Sequence, residues 1–326
     1  MKKARIQRSR LAIGGVLLFG IVWFADPREV FAVLAGANWI WLTAGLILSV
    51  LSNVISALRW RELAAWLGHP ITSTTALQIY FRAMALNALL PGGVVGGDVY
   101  RALVLRQQGM HPMGATLSVL LDRVWGFWLV IAISIMGSAF TWTLIAGQVS
   151  WTDQFPEPSK PLFVVIGILW TLLPLLFLRR LAPAWRRFHE EVISLETCHM
   201  RIRRQYVLQS VAALCVQWLS IGALALGAKA IHLELSTAVW ATVSFPIFLM
   251  AAIPVSWGGW GAREAAAAGA LSVFGVSAAQ GVGAGLIYGI YALVQAAAGA
   301  ALFGWPSMQQ QTELARKLNQ HRHTRD

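Results

Sequence analysis

From residue 235 to residue 312 the chain carries only two members of the Asp, Glu, Lys and Arg set, Arg263 and Glu264. No soluble domain clothes its surface from such a stretch, since about 25% charged residues is usual. Further charge-free runs fall at 11–25, 30–58, 63–81, 83–97, 107–121, 124–152, 161–178 and 205–228. A helix needs about 20 apolar residues to cross roughly 30 Å of hydrocarbon. The 326 residues are 57% hydrophobic and 12% charged, with a mean hydropathy of +0.61. Continuous apolar runs of this kind define an all-α integral membrane protein.

Charge then orients the chain. Lys and Arg number 26 against 14 Asp and Glu, a net +12. In a soluble chain that excess points to nucleic acid; here it marks cytoplasmic loops, and no nucleic-acid partner is expected. The excess sits in residues 1–10 (Lys2, Lys3, Arg5, Arg8, Arg10), in the connection 179–205 with its seven arginines, and in the tail 306–326 (Arg316, Lys317, Arg322, Arg325). Residues 26–37 and 147–160 are each net negative by one and belong outside.

That pattern predicts about six full crossings, at 11–27, 38–58, 116–146, 161–178, 206–230 and 280–303, with both termini cytoplasmic. The apolar regions 74–112 and 237–277 are left over. A single crossing by either would carry an arginine-rich segment to the wrong face, so each is expected to enter and leave on one side as one of two opposed re-entrant helical hairpins. Each is interrupted by proline and glycine: Pro91, Gly92, Gly93, Gly96 and Gly97 in the first, Pro254, Gly258, Gly259 and Gly261 in the second. Irregular backbone at membrane depth is tolerated only against protein or a wet cavity, and paired breaks point to a transport site.

Residues 11–25 read as an uncleaved anchor rather than a signal peptide, because Trp23 fits a cleavage site poorly. Tryptophans near predicted span ends, including Trp39, Trp41, Trp60, Trp151, Trp185 and Trp305, suit an interfacial belt. Cys198 and Cys215 are too few for a disulfide framework or a zinc site.

Ionised side chains inside apolar sequence are the candidate site. Asp98 and Arg101 follow the first break three residues apart, on one helical face. Arg263 and Glu264 follow the second, where a guanidinium forks onto phosphate or carboxylate beside the start of a helix at Ala262. The alternative at each place is a structural pair that binds nothing. Asp122 and Arg123 open a long span, either snorkelling at the surface or lining a cavity, with Ser118 one turn earlier placed to share the Asp122 hydrogen bonds. Asn87 is expected to satisfy backbone groups freed near Pro91. Gly281, Gly285 and Gly289 recur every four residues and suit close helix packing, with no chemistry. No metal spacing, nucleotide loop or cofactor motif is present in the sequence, and no enzymatic activity is expected. If the breaks meet, Asp98 and Arg263 are expected to face each other.

The segments Ser56-Ala57-Leu58-Arg59-Trp60, Asn87 to Gly92, Gly96 to Arg101, Ser118 to Arg123 with Gly126, and Pro254 to Glu264 together resemble the flippase-like family built on the transmembrane region of lysylphosphatidylglycerol synthetases. The resemblance runs from about residue 10 to residue 305. It implies a multi-pass bacterial inner-membrane protein that moves a lipid or lipid-linked sugar between leaflets. It also implies that Asp98, Arg101, Asp122, Arg123, Arg263 and Glu264 line the headgroup path. The chain ends soon after the last predicted span, so lysyl transfer by a soluble domain is not carried over. A lipid-linked substrate and a lipid-synthesis enzyme are the partners to consider; an intramembrane enzyme and a non-catalytic subunit are the rival functions.

Overall fold

A computed structural model describes Trp23 and residues 27–89, 94–146, 161–173, 202–253 and 259–304. The described residues form ten helices: α1 (Pro27–Ala35), α2 (Trp39–Trp66), α3 (Ser73–Leu89), α4 (Val94–Gln107), α5 (Pro112–Ala146), α6 (Pro161–Leu173), α7 (Ile202–Ala230), α8 (Thr237–Ala252), α9 (Ala262–Ser272) and α10 (Ala278–Phe303). Local sequence sets several starts. The Asn38 carboxamide accepts from the Ile40 amide at 2.9 Å ahead of α2, and the Ser277 hydroxyl accepts from Gln280 at 3.3 Å ahead of α10. Both satisfy amides that have no partner within the helix.

Four helices are long and apolar enough to cross a membrane: Trp39–Trp66, Pro112–Trp142, Arg204–Ala230 and Ala278–Phe303. They fall on four of the predicted spans. The fifth is represented by the shorter apolar helix α6, and the first, 11–27, lies almost wholly outside the described residues. In contrast α3, α4, α8 and α9 have 17, 14, 16 and 11 residues. At 1.5 Å per residue none exceeds about 26 Å, short of the hydrocarbon thickness. α3 packs on α4 and α8 on α9, while α10 packs on both α3 and α9.

The polarity of the fold is inverted relative to a soluble bundle. On α2, Trp39 is 80% exposed and Ile40, Ile47 and Leu51 are exposed too, whereas Gly45, Ser49, Ser52, Ser56, Arg59 and Trp60 are buried. Their spacing of three and four draws one interior stripe, and that stripe is small and polar. α7 meets α2 through it: the Ser52 and Ser220 hydroxyls lie 2.8 Å apart. On the other side, Trp128 of α5 and Trp170 of α6 stack at 4.2 Å, each indole donating to the other's carbonyl oxygen at 3.0 and 3.1 Å.

Several expectations change here. Gly96 and Gly97 lie within the first turn of α4 rather than in a break, because Asn87 accepts the Gly97 amide at 2.6 Å and ties the two arms of the hairpin. A side chain at Gly97 would overlap the Ala83 carbonyl oxygen and the Asn87 carboxamide. That is the backbone-satisfying use of Asn87 expected from sequence. Pro91, Gly92, Gly93, Pro254 and Gly258 lie outside the described residues. Gly259 and Gly261 have φ of 79° and 85°, a left-handed conformation that glycine adopts without steric cost, so the second break is glycine-dependent at these two positions. Trp60 is fully buried and has no place in an interfacial belt. Cys198 is outside the described residues and Cys215 is exposed.

Candidate functional site

α2, α4 and α5 each deliver charge to one interior point. Asp122 of α5 accepts from Arg59 of α2 at 2.6 Å on Oδ1 and from Arg101 of α4 at 2.8 Å on Oδ2. Arg123 clasps Asp98 of α4 through two hydrogen bonds of 2.8 and 2.9 Å, and Arg101 also stands 3.6 Å from Asp98. Arg59, Arg101 and Asp122 are each at least nine-tenths buried. The snorkelling alternative for Asp122 is therefore set aside: its carboxylate faces the protein interior.

The expected pairing of Asp98 with Arg101 is present but secondary, since Arg123 holds Asp98 in the closer geometry. Arg101 is steadied by aromatic faces, its guanidinium carbon lying 4.4 Å from the Trp60 ring centre and 4.8 Å from that of Tyr80. A cation over such faces is stabilised by the ring quadrupole, more so when desolvated. Ser118 does not share the Asp122 hydrogen bonds. Its hydroxyl accepts from the Trp60 indole at 3.2 Å and donates to the Ala115 carbonyl at 2.8 Å, so it fixes the ring on which Arg101 lies.

A second charged unit opens α9. Glu264, 0% exposed, accepts the Gly261 amide at 2.5 Å and the Arg263 Nε at 3.0 Å. It thus caps the helix start and neutralises Arg263 together. The Arg263 guanidinium also lies 5.0 Å from the Trp260 ring centre. A Cβ at Gly289 of α10 would collide with that guanidinium, whereas Gly281 and Gly285 abut the α9 backbone at Ala268 and Glu264. The glycine stripe is therefore packing at two positions, as expected, and a berth for Arg263 at the third. Arg82, in the same half-hairpin as Asn87, donates to the Phe303 carbonyl at 2.8 Å and serves the end of α10.

Three cavities that share lining residues lie among these units. The first, about 250 Å³, is lined by Arg59, Asp122 and Arg123 together with Asn53, Ser56 and Gln217. The second, about 190 Å³, lies between Asn87 of the first hairpin and Trp260, Arg263 and Gly289. The third, about 170 Å³, is bounded by Asp98, Arg101 and Arg123. Tyr288 borders the first and second, Asn87 the second and third, and Tyr80 the first and third. At about 30 Å³ per water, the first alone has room for roughly eight. Asp98 and Arg263 thus line neighbouring cavities, but each is ion-paired within its own unit. The direct approach of the two expected from sequence is not formed.

Arg59, Trp60, Tyr80 and Asn53 are site residues that the sequence reading did not nominate. Among the described residues no group of three or more His, Cys, Asp or Glu suitable for a metal is present.

Polar and ionised groups gathered inside a sheath of exposed apolar side chains define a multi-pass helical membrane protein with a hydrophilic interior. The family model for the lysylphosphatidylglycerol synthase transmembrane region matches residues 10–299, and the chain belongs to that family. No curated protein matches it.

Proposed function

We propose that the protein translocates a lipid or lipid-linked sugar between the leaflets of the bacterial inner membrane, without nucleotide hydrolysis and without altering the lipid. The observation that carries this reading is a set of three cavities that share lining residues, one lined by Asp98, Arg101 and Arg123, one by Arg59, Asp122 and Arg123, and one by Arg263. A charged headgroup loses its hydration on leaving the interface, at a cost of several kcal/mol unless it is paired. Interior guanidiniums supply that pairing while acyl chains stay in lipid, and the acids beside them keep the hold weak enough for release.

In this reading α3 with α4, and α8 with α9, are re-entrant hairpins entering from opposite faces. Six full spans surround them, and both termini lie in the cytoplasm. The shortness of all four helices and the meeting of Asn87 with Trp260 and Arg263 around one cavity support the arrangement. Membership of a family named for a lipid synthase supports a lipid as cargo.

The test is reconstitution of the purified protein into vesicles carrying headgroup-labelled lipids, with label accessibility followed by a membrane-impermeant quencher. Loss of protection at unchanged lipid mass supports translocation. A changed lipid mass would make the protein an enzyme, and a silent protein that gains activity with an added lipid-synthesis enzyme would make it a subunit.

A further inference from the structure

The charged cluster around Asp122 has two tiers that differ in burial. Arg59, Arg101 and Asp122 are 5%, 2% and 4% exposed, and their bonds tie α2, α4 and α5 together. The side chains of Asp98 and Arg123 are 20% and 36% exposed, and the pair they form joins α4 to α5 alone. Separating a buried ion pair is costly because each charge is left uncompensated, whereas a pair that water reaches is worth little. The Asp98–Arg123 pair is therefore the weaker tie, although two hydrogen bonds of 2.8 and 2.9 Å hold it closed.

Asp98 also has a second cation within reach. Arg101 presents Nη1 at 3.6 Å from Asp98 Oδ1 while its Nη2 stays on Asp122 Oδ2 at 2.8 Å. A planar fork of this kind can hold two acids at once, and the Trp60 and Tyr80 rings fix where it stands. When Arg123 leaves Asp98, neither carboxylate is stranded: Asp98 closes the short gap to Arg101, and Asp122 keeps Arg59 and Arg101. The exchange leaves one charge to be solvated, that of Arg123. This residue lines both the first cavity and the third, and with Asn53 and Tyr80 it stands where the two linings overlap.

We propose that the Asp98–Arg123 pair is a latch between α4 and α5. Closed, it holds Arg123 across the boundary of the first and third cavities. Open, Arg123 turns into the first cavity, Asp98 passes to Arg101, and the two cavities become one. The latch gives the translocation reading a second conformation and rests on that reading for its purpose; its opening is measured without following any lipid.

A cysteine at Gly126 reports the state of the first cavity. Gly126 is one of its lining residues, and a Cβ there meets its nearest atoms at 3.5 and 3.9 Å, ordinary contact distances. The full chain carrying Gly126→Cys with Cys198→Ser and Cys215→Ser is treated with a membrane-impermeant methanethiosulfonate in right-side-out and inside-out vesicles, and labelling rates are compared. Arg123→Gln removes the latch and should raise the rate about fivefold from at least one face, the worth of a partly exposed ion pair. Arg101→Gln removes the second cation, so that opening strands Asp98, and should lower the rate. Arg101→Lys keeps a positive charge beside Asp122 without the fork; it covers the case in which Arg101→Gln does not accumulate, and it too should lower the rate. Faster labelling in every arginine variant would mean that each only loosens the helices, and an unchanged rate in Arg123→Gln would mean that the pair closes nothing; either result overturns the latch. Opposite responses at Arg101 and Arg123 in a protein that moves no lipid would keep the latch and sink translocation, and lipid movement with an unchanged labelling rate would do the reverse.

Discussion

The two charged units are built from the same residue types and solve different problems. The unit around Asp122 is assembled from three helices, α2, α4 and α5, whose contributing residues lie up to 64 positions apart, from Arg59 to Arg123. The Arg263–Glu264 unit is made by neighbours in sequence at one helix start. The first carries one surplus positive charge and donors without partners; the second is neutral, and its acid doubles as a helix cap. A distributed unit of this kind ties helices together. The local unit places its guanidinium in the lining of a cavity shared with Asn87 and Trp260, and its ion pair involves no other helix.

The sharpest break of this comparison is Asp122→Ala. It strands Arg59 and Arg101 together, and leaving a buried charge without its partner costs about 3–5 kcal/mol, a large part of the stability of any domain. The variant should fail to accumulate in the membrane. Arg263→Ala should accumulate better than Asp122→Ala, because Glu264 keeps the Gly261 amide, yet should abolish translocation in the vesicle assay. Arg263→Lys should recover little activity, since a point-charge ammonium reproduces neither the planar fork nor the stacking over Trp260. Equal accumulation of Asp122→Ala and the wild type would show that the distributed unit is not what ties the helices.

Glycines of α10 sharpen the same contrast on a smaller scale. At Gly281 an added methyl meets the Ala268 backbone at 2.6 Å, a helix against helix clash expected to cost about 1–3 kcal/mol. At Gly289 the nearest atoms to the methyl are those of the Arg263 guanidinium, a side-chain end rather than backbone. Gly281→Ala should therefore lower the thermal midpoint more than Gly289→Ala, while Gly289→Ala should reduce translocation at near-normal protein level. The reverse order would return Gly289 to a packing role.

How much of this was legible in the sequence follows the same division. Arg263 and Glu264 stood out because nothing else charged lies near them in the chain, and a local pair is visible to local inspection. Asp98, Arg101, Asp122 and Arg123 were legible as charges, but their partners were not: sequence spacing favoured Asp98 with Arg101, and packing of α4 on α5 gave Asp98 to Arg123 instead. Arg59 enters the sequence reading only within the Ser56 to Trp60 segment of the resemblance, because as a single charge at the end of a predicted span it has no charged neighbour three or four residues away within the apolar run to mark it as a site. The available signal was Ser52, Ser56 and Arg59 on one face of α2, a polar stripe in an otherwise apolar helix. Trp60 was misplaced for a related reason, since composition near a span end says nothing about which side of the helix faces lipid. Four of the six predicted crossings were readable as long apolar helices from charge-free length, 161–178 appears as the shorter helix α6, and 11–27 lies almost wholly outside the described residues; helix partners required tertiary contact.

The smallest expected effect is the one that decides whether the two units act independently. Attraction between unit charges about 4 Å apart is roughly 4 kcal/mol at an effective dielectric near 20, but Asp98 spends its carboxylate on Arg123 at 2.8 Å and Arg263 spends its guanidinium on Glu264. A double-mutant cycle on accumulation separates the cases. Asp98→Ala combined with Arg123→Ala should be non-additive, by about 0.5–3 kcal/mol as for residues in direct contact, because the second truncation removes the charge that the first left unpaired. Asp98→Ala combined with Arg263→Ala should add to within about 0.5 kcal/mol, the behaviour of sites without shared partners. Translocation should be lost in both doubles, so accumulation is the informative measurement. Strong coupling between Asp98 and Arg263 would mean that the pairs exchange partners across the Asn87 junction in a second conformation, and the two units would then have to be treated as one.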